Sequence, residues 1–330
     1  MMRLPRFQYF APRTLKDAAG LLSHWGPEAS LVAGGTDLWP NMKRRQFTPT
    51  RVIGLRGVPE LHAITGSPST GMTVGAMISL TALERHDGVA AMWPALAHAA
   101  RLISTPPLRN MGTLGGNLCL DTRCNYWNQT LEWRKSIDFC LKKAGSICWV
   151  ATSSPRCWAV SSSDTAPVLC AIGAEVTLLS TEGERRIPVT QLFRDDGIEY
   201  LNKRSNEILT AVHLPPNGGE WRASYRKLRR RGSFDFPVLG VAAAARLDRG
   251  VVVEARIVLT GVGSRPHEAT EAAEALVGKR LDDPAAVATA VERAARLAKP
   301  LDNTDFALGW RKEMSRHHVA AAIADLAAAG

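Results

Sequence analysis

The stretch Ser30-Leu31-Val32-Ala33-Gly34-Gly35-Thr36-Asp37-Leu38 decides how this chain is read. Its apolar start predicts a strand over Ser30 to Ala33 that runs straight into a glycine turn. Upstream, the apolar spacing predicts a helix from Leu15 to about Trp25. Glycine has no Cβ, so the N–H groups of such a turn can approach a bulky anion, such as a dinucleotide diphosphate, without steric exclusion. Alone, a Gly-Gly turn after a strand is more often a plain turn. A second glycine motif, Thr113-Leu114-Gly115-Gly116-Asn117, follows about eighty residues later, and the pair is a stronger signal than either member.

Outward from these motifs, strands are expected at Arg51 to Leu55 and Met72 to Gly75, and helices at Leu80 to His86 and Trp93 to Ile103. From Asp121 to about Ser161 both periodicities fade while Cys and Trp concentrate. Strands are expected again at Glu175 to Leu179 and Glu207 to Leu214, ended by the breaker run Pro215-Pro216-Asn217-Gly218-Gly219, read as a domain boundary. Beyond it, Leu239 to Leu247 and Val251 to Thr260 predict a hairpin around Asp248-Arg249-Gly250. Ala-rich helices are expected at about 267–278, 284–298 and 311–328. Gly261-Val262-Gly263 is followed by Ser, Arg and Pro, so it lacks the G-x-G-x-x-G context of a Rossmann NAD site.

With 330 residues, 45% hydrophobic and 22% charged, the chain has room for two folded units around real cores. No apolar run approaches the roughly 20 residues that span a bilayer, so no membrane span is expected. Met1 to Thr14 lacks the apolar stretch and cleavage site of a signal peptide, and a cytoplasmic protein is expected. The net charge of +10 admits nucleic acid, an anionic cofactor or an acidic partner. Lys43-Arg44-Arg45 and Arg226 to Arg231 carry much of it, without zinc-finger spacing or RNA-binding aromatics, so no nucleic-acid partner is expected. The run Arg226 to Arg231 reads equally as a solvated edge or as a cofactor or partner surface.

Together with Arg109-Asn110, Ser163-Asp164-Thr165-Ala166-Pro167, Tyr225-Arg226-Lys227 and Asp235-Phe236-Pro237, the two glycine motifs resemble the FAD-binding medium subunits of the xanthine dehydrogenase and carbon monoxide dehydrogenase family. The resemblance covers most of the chain. It implies an α+β fold: an FAD-binding domain at 1–216, with subdomains at about 1–56 and 57–216 and an insertion at about 121–161. A C-terminal α+β domain with a small antiparallel sheet and helices would then fill 217–330. The resemblance also implies that FAD contacts Leu31, Val32, Ala33, Gly34, Gly35, Thr36, Asp37 and Leu38, then Thr113, Gly115, Gly116, Asn117 and Asp164. Lys227 would lie near the flavin ring and Leu209 beside it. No residue for a substrate step is expected here. The implied partners are a molybdopterin-binding large subunit and a [2Fe–2S] small subunit, in a dimer of heterotrimers.

Six cysteines remain to be placed: Cys119, Cys124, Cys140, Cys148, Cys157 and Cys170. Disulfides are improbable in a cytoplasmic chain, which leaves metal, redox chemistry or simple burial. The spacings of 16, 8 and 9 after Cys124 suit a loop around one larger cluster better than the paired spacing usual for zinc. The family's usual form passes from the second glycine motif to the Ser-Asp motif without this segment. Its 4-hydroxybenzoyl-CoA reductase branch carries a [4Fe–4S] insertion there. The segment resembles that insertion at Asp121-Thr122-Arg123-Cys124-Asn125, Asn128-Gln129, Glu132-Trp133-Arg134, Phe139-Cys140-Leu141-Lys142, Cys148 and Arg156-Cys157. This resemblance implies Cys124, Cys140, Cys148 and Cys157 as cluster ligands.

Cys119 and Cys170 are expected to be buried and inert, and Trp127, Trp133, Trp149 and Trp158 to form the insertion's core and cover. His317 and His318 read as surface residues. The function implied is electron transfer from ferredoxin through [4Fe–4S] to FAD, within a complex that reduces 4-hydroxybenzoyl-CoA to benzoyl-CoA. The excess of Arg123, Arg134, Lys135, Lys142, Lys143 and Arg156 over Asp121, Glu132 and Asp138 suggests a basic docking face for an acidic ferredoxin. Two other readings stand beside it: the FAD subunit of a hydroxylating aromatic, heteroaromatic or CoA-thioester dehydrogenase, and a zinc-binding assembly subunit.

Overall fold

Three sheets carry the described residues. A computed structural model describes residues 3–328; Met1, Met2, Ala329 and Gly330, which the expected domain bounds include, lie outside the described residues. The first sheet is parallel, in the order β1-β3-β2, from β1 (Gln8–Phe10), β2 (Ala29–Val32) and β3 (Arg51–Gly54). Helix Leu15–Trp25 makes the crossover from β1 to β2. Thr14 caps it by accepting from the Asp17 N–H at 3.1 Å. Ala18, Ala19 and Leu22 supply its buried stripe.

The second sheet is antiparallel, in the order β4-β5-β8-β6-β7. Its strands are β4 (Ile64–Ser67), β5 (Gly71–Gly75), β6 (Glu175–Ser180), β7 (Gly183–Pro188) and β8 (Ile208–Leu214). In β6, Val176, Leu178 and Ser180 are buried while the residues between them are half-buried, the period of a strand with one core face. Everything from helix Leu80–Arg85 to helix Thr165–Ala171 is inserted between β5 and β6.

The third sheet, also antiparallel, runs β12-β11-β10-β9 with β9 (Trp221–Leu228), β10 (Leu239–Asp248), β11 (Val251–Thr260) and β12 (His267–Glu268). Both faces of β10 are covered, which accounts for its run of small residues. Leu239, Val241, Ala243 and Ala245 join the core formed with helices Pro284–Leu297 and Leu308–Ala328. Ala242 and Ala244 point the other way, into the main core shared by the first two sheets and helix Thr165–Ala171.

Three sequence expectations change here. The stretch 267–278 opens with β12 and only then forms a short helix, Thr270–Glu274. The helix expected from Trp93 starts at Pro94 and ends at Arg101, after a separate short helix Asp87–Met92. Strands β1, β4, β7 and β9 were not anticipated. No helix among the described residues is long and apolar enough to cross a membrane.

The segment 121–161 hangs from a two-residue neck, where the Arg123 N–H donates to Val160 O at 2.9 Å and the Val160 N–H to Arg123 O at 2.8 Å. Inside it lie one short helix, Leu131–Ser136, and irregular turns. Its small core is Cys124, Trp127, Cys140, Cys157 and Ala159, with Phe47, Tyr126 and Val150 packed against it.

Candidate functional site

The first glycine turn leaves β2 in a conformation that excludes side chains. Gly35 has φ of 74°, and a Cβ there would sit 2.2 Å from Nε1 of Trp39. A Cβ on Gly34 would sit 1.8 Å from the carbonyl oxygen of Met111, directly before the second motif. The two motifs therefore touch through bare backbone. Among the described residues, the N–H groups of Gly34, Gly35, Thr36 and Asp37 meet no protein acceptor. Successive free N–H groups in a concave turn form a nest for an anion.

The second motif works differently from expectation. It forms the short helix Leu114–Leu118, and its donors are occupied: Gly115 donates to Ala76 O at 2.9 Å and Gly116 to Thr113 Oγ1 at 3.1 Å. Its glycines serve close packing, since a Cβ on Gly115 would lie 2.7 Å from that of Ala76. Asn117 Oδ1 accepts from the hydroxyls of Ser163 and Thr165, each at 2.7 Å, tying this motif to the Ser-Asp motif.

Both motifs line one cavity of about 560 Å³, within the range of small-molecule sites. Its walls include Leu31 to Leu38, Thr113, Gly115, Gly116, Asn117, Asp164 and Leu209. Of the residues the resemblance assigned to FAD, only Lys227 is absent from the wall. It stands one layer back, with Nζ donating to Asp164 Oδ2 at 2.9 Å and to Leu102 O at 3.1 Å. Tyr225 donates its hydroxyl to Asp164 Oδ1 at 2.7 Å. Burial pushes the Asp164 carboxyl up from its ordinary value, against the opposing pull of Lys227 and the Tyr225 hydrogen bond. The Tyr225 hydroxyl is itself pushed well up, by burial first and by Asp164 second.

Further wall residues escaped the sequence reading. Phe234 and Phe236 rim the opening, and Tyr200, Asp121 and Arg123 close one end. The Asp235-Phe236-Pro237 run is a usable signal for Phe236; Phe234 and Tyr200 carry none. Arg123 forms an ion pair with Asp37 and lies over the Phe236 ring at 4.1 Å. Burial raises the Asp37 carboxyl, Arg123 opposes that, and Asp121 adds to it.

The run Arg226 to Arg231 resolves into individual ties. Arg226 pairs with Asp325, Arg230 with Asp305 and Arg231 with Asp235, while Arg229 donates to Leu102 O at 3.2 Å.

Cys124, Cys140, Cys148 and Cys157 line one small hollow with Tyr126, Trp127, Lys142, Trp149 and Ala159. The N–H groups of Trp127 and Lys143 donate to the carbonyl oxygens of Cys124 and Cys140, at 3.0 and 2.8 Å, and close tight turns around these two cysteines. Burial pushes the Cys124 thiol up to about 12 and that of Cys157 up to about 11. Among the described residues, no three His, Cys, Asp or Glu side chains are grouped tightly enough to hold a single metal ion. Cys119 instead lines the main cavity, and Cys170 is buried in helix Thr165–Ala171.

The expected basic docking face does not form, because its charges are spent inside the protein. Arg123 pairs with Asp37, Lys142 with Asp121 and Arg156 with Asp195, while Lys143 donates to Gln46 O and Arg134 to Arg44 O. Lys135 alone of the six is exposed. Of the four Trp residues expected as core and cover, Trp127 is 1% exposed, whereas Trp133 and Trp149 are exposed at 38% and 37%.

Residues 5–217 match the family described as the FAD binding domain in molybdopterin dehydrogenase, and residues 223–326 match the CO dehydrogenase flavoprotein C-terminal domain. The carbon monoxide dehydrogenase medium chain of Afipia carboxidovorans is 29% identical over 297 residues, 89% of this chain and 86% of that protein. The aldehyde oxidoreductase FAD-binding subunit PaoB of Escherichia coli is 32% identical over 278 residues, 82% and 85% of the two chains. Among solved structures, the carbon monoxide dehydrogenase of Hydrogenophaga pseudoflava aligns with a TM-score of 0.81 and 27% identity over 99% of each chain. Quinoline 2-oxidoreductase of Pseudomonas putida 86 aligns with a TM-score of 0.76 and 25% identity, again over 99% of each. The chain belongs to the FAD-binding flavoprotein subunits of the molybdopterin dehydrogenase family.

Proposed function

We propose that this chain is the electron-transferring flavoprotein subunit of a molybdenum enzyme complex of the 4-hydroxybenzoyl-CoA reductase type. In this reading it carries FAD in the main cavity and a [4Fe–4S] cluster on Cys124, Cys140, Cys148 and Cys157. The supporting observation is that four cysteines scattered through an irregular segment line one hollow, while the other two lie elsewhere. Four thiols lining one hollow match the four-thiolate ligand set of a [4Fe–4S] cluster. The orphaned Nε and Nη1 of the fully buried Arg134, over the Trp127 ring that lines the hollow, fit an anion nearby.

FAD, when bound, exchanges one or two electrons, and a [4Fe–4S] cluster exchanges one. The protein's part is to hold and separate them. The free N–H groups of Gly34 to Asp37 bind the diphosphate, and Leu209 with the second motif walls the cavity against water. Asp164 contacts the cofactor, held in place by Tyr225 and Lys227. The chain divides at Pro215–Gly219 into an FAD-binding domain and a C-terminal domain. The partners are a molybdopterin-binding large subunit, which supplies the substrate site, and a [2Fe–2S] small subunit, in a dimer of heterotrimers. The electron donor is a ferredoxin, supported by the family resemblance and no longer by the charge of the segment.

A second reading, the FAD subunit of a hydroxylating dehydrogenase, draws on the names of relatives such as the nicotinate dehydrogenase FAD-subunit of Eubacterium barkeri. Anaerobic purification with the native partner subunits, followed by assay with reduced donor and 4-hydroxybenzoyl-CoA, separates the two. Benzoyl-CoA formation supports the reductase. Oxidation of an aromatic substrate with no reductive turnover supports the dehydrogenase.

A further inference from the structure

Two buried cations stand at the cysteine hollow, Lys142 in its wall and Arg134 over its Trp127, and among the described residues only Asp121 pairs with either. Lys142 lines the hollow with its side chain 5% exposed. Its Nζ donates to Asp121 Oδ1 and Gly197 O, each at 2.7 Å, and to Thr122 O at 3.2 Å. Arg134 is 1% exposed and lies over the Trp127 ring at 5.1 Å. Its Nη2 donates to Arg44 O at 2.7 Å, but its Nε and Nη1 are buried without a partner. A buried guanidinium with two idle donors is costly unless an anion stands nearby. No carboxylate of the segment pairs with it among the described residues.

We propose that Lys142 and Arg134 are positioning residues that balance the charge of the metal–thiolate assembly and raise its reduction potential, an inference that rests on the cluster reading above. Four thiolates around iron and sulfide make a net anion, and one-electron reduction adds one negative charge without making or breaking a bond. Fixed positive charge in a dry site favours that reduced state. Lys142 acts from the wall of the hollow and Arg134 from over the ring of Trp127, which also lines it.

The test is an anaerobic redox titration followed by electron paramagnetic resonance on wild type, Lys142→Gln, Arg134→Gln and Lys142→Arg. Iron, sulfide and FAD are counted in each. The two Gln variants are expected to keep FAD and to show a lower cluster potential, with Lys142→Arg restoring it toward wild type. Unchanged potentials in both Gln variants overturn the assignment. Where a Gln variant does not retain iron, Lys142→Arg and Arg134→Lys decide: recovered iron and sulfide support the role of charge, and failure of both to recover overturns it. A wild-type protein without iron and sulfide contradicts the cluster reading itself, before any variant is compared.

Discussion

The indole N–H of Trp127 donates to Asp121 Oδ2 at 2.8 Å, and this bond joins the walls of the two cavities: Trp127 lines the cysteine hollow and Asp121 the main cavity. Asp121 holds Lys142 with its other oxygen. One buried carboxylate thus anchors the cysteine segment to the rim of the dinucleotide site. Trp127→Phe keeps one aromatic ring but removes the bond and leaves a cavity where the indole's second ring was. A net loss of about 1–3 kcal/mol is expected, from the bond and the cavity together. Hydrogen exchange should show faster opening confined to 121–161, with flavin content unchanged. Protection equal to wild type throughout that segment would show that the bond does not anchor it.

Gly34→Ala tests the contact between the two glycine motifs. Its Cβ would meet Met111 O at 1.8 Å, and a backbone carbonyl in a packed turn cannot step aside cheaply. A destabilisation of about 1–3 kcal/mol and loss of most bound flavin are expected. Flavin absorbance per chain and a thermal melt measure both. Full occupancy would place the diphosphate elsewhere.

Asp164 and Lys227 form a buried ion pair with side chains 3% and 1% exposed. Removing one partner leaves an uncompensated charge, so Asp164→Asn or Lys227→Met alone should cost about 3–5 kcal/mol. The double variant should cost clearly less than the sum. Additive losses in denaturant unfolding would mean that the two groups do not depend on each other.

How much of this was legible in the sequence follows from where the signals lie. The interior strands β3, β5, β6, β8, β10 and β11 carry apolar runs or alternation and were anticipated within a residue or so. The strands that escaped notice, β1, β4, β7, β9 and β12, all stand at sheet edges. An edge strand needs no continuous apolar face and carries charge for protection, as in Gly183-Glu184-Arg185-Arg186 of β7. The glycine motifs announced the main cavity, but not the division of labour between a turn with free N–H groups and a helix whose donors are used. That division depends on Ala76, distant in sequence from Gly115. Likewise, counting Lys and Arg in the segment could not reveal that their partners, Asp37, Gln46 and Asp195, lie outside it.

Glu207, directly before β8, receives a bidentate pair from Arg185, Nε at 2.6 Å and Nη2 at 2.8 Å. The Arg185 hydrogen bonds hold its carboxyl below the usual value, against burial, with help from the Arg204 N–H. A depressed carboxylate contributes stability that is fully present above the unfolded value of about 4.3 and is lost as pH falls through the lower folded value. Glu207→Gln should cost about 1–3 kcal/mol at neutral pH, and its difference from wild type should shrink below about pH 4. A difference that stays constant from neutral to strongly acidic pH would rule out this linkage.

In the proposed function one chain holds FAD and a four-iron cluster at separate sites, and the content of anaerobically purified protein tests this most directly. Iron, acid-labile sulfide, zinc and flavin are counted in wild type and in six single Cys→Ala variants. Wild type should hold about four iron, about four sulfide and about one FAD. Iron should fall in the variants of Cys124, Cys140, Cys148 and Cys157 with FAD kept, and remain in those of Cys119 and Cys170. Stoichiometric zinc in wild type, or iron lost from the Cys119 variant but kept in that of Cys124, would contradict the account.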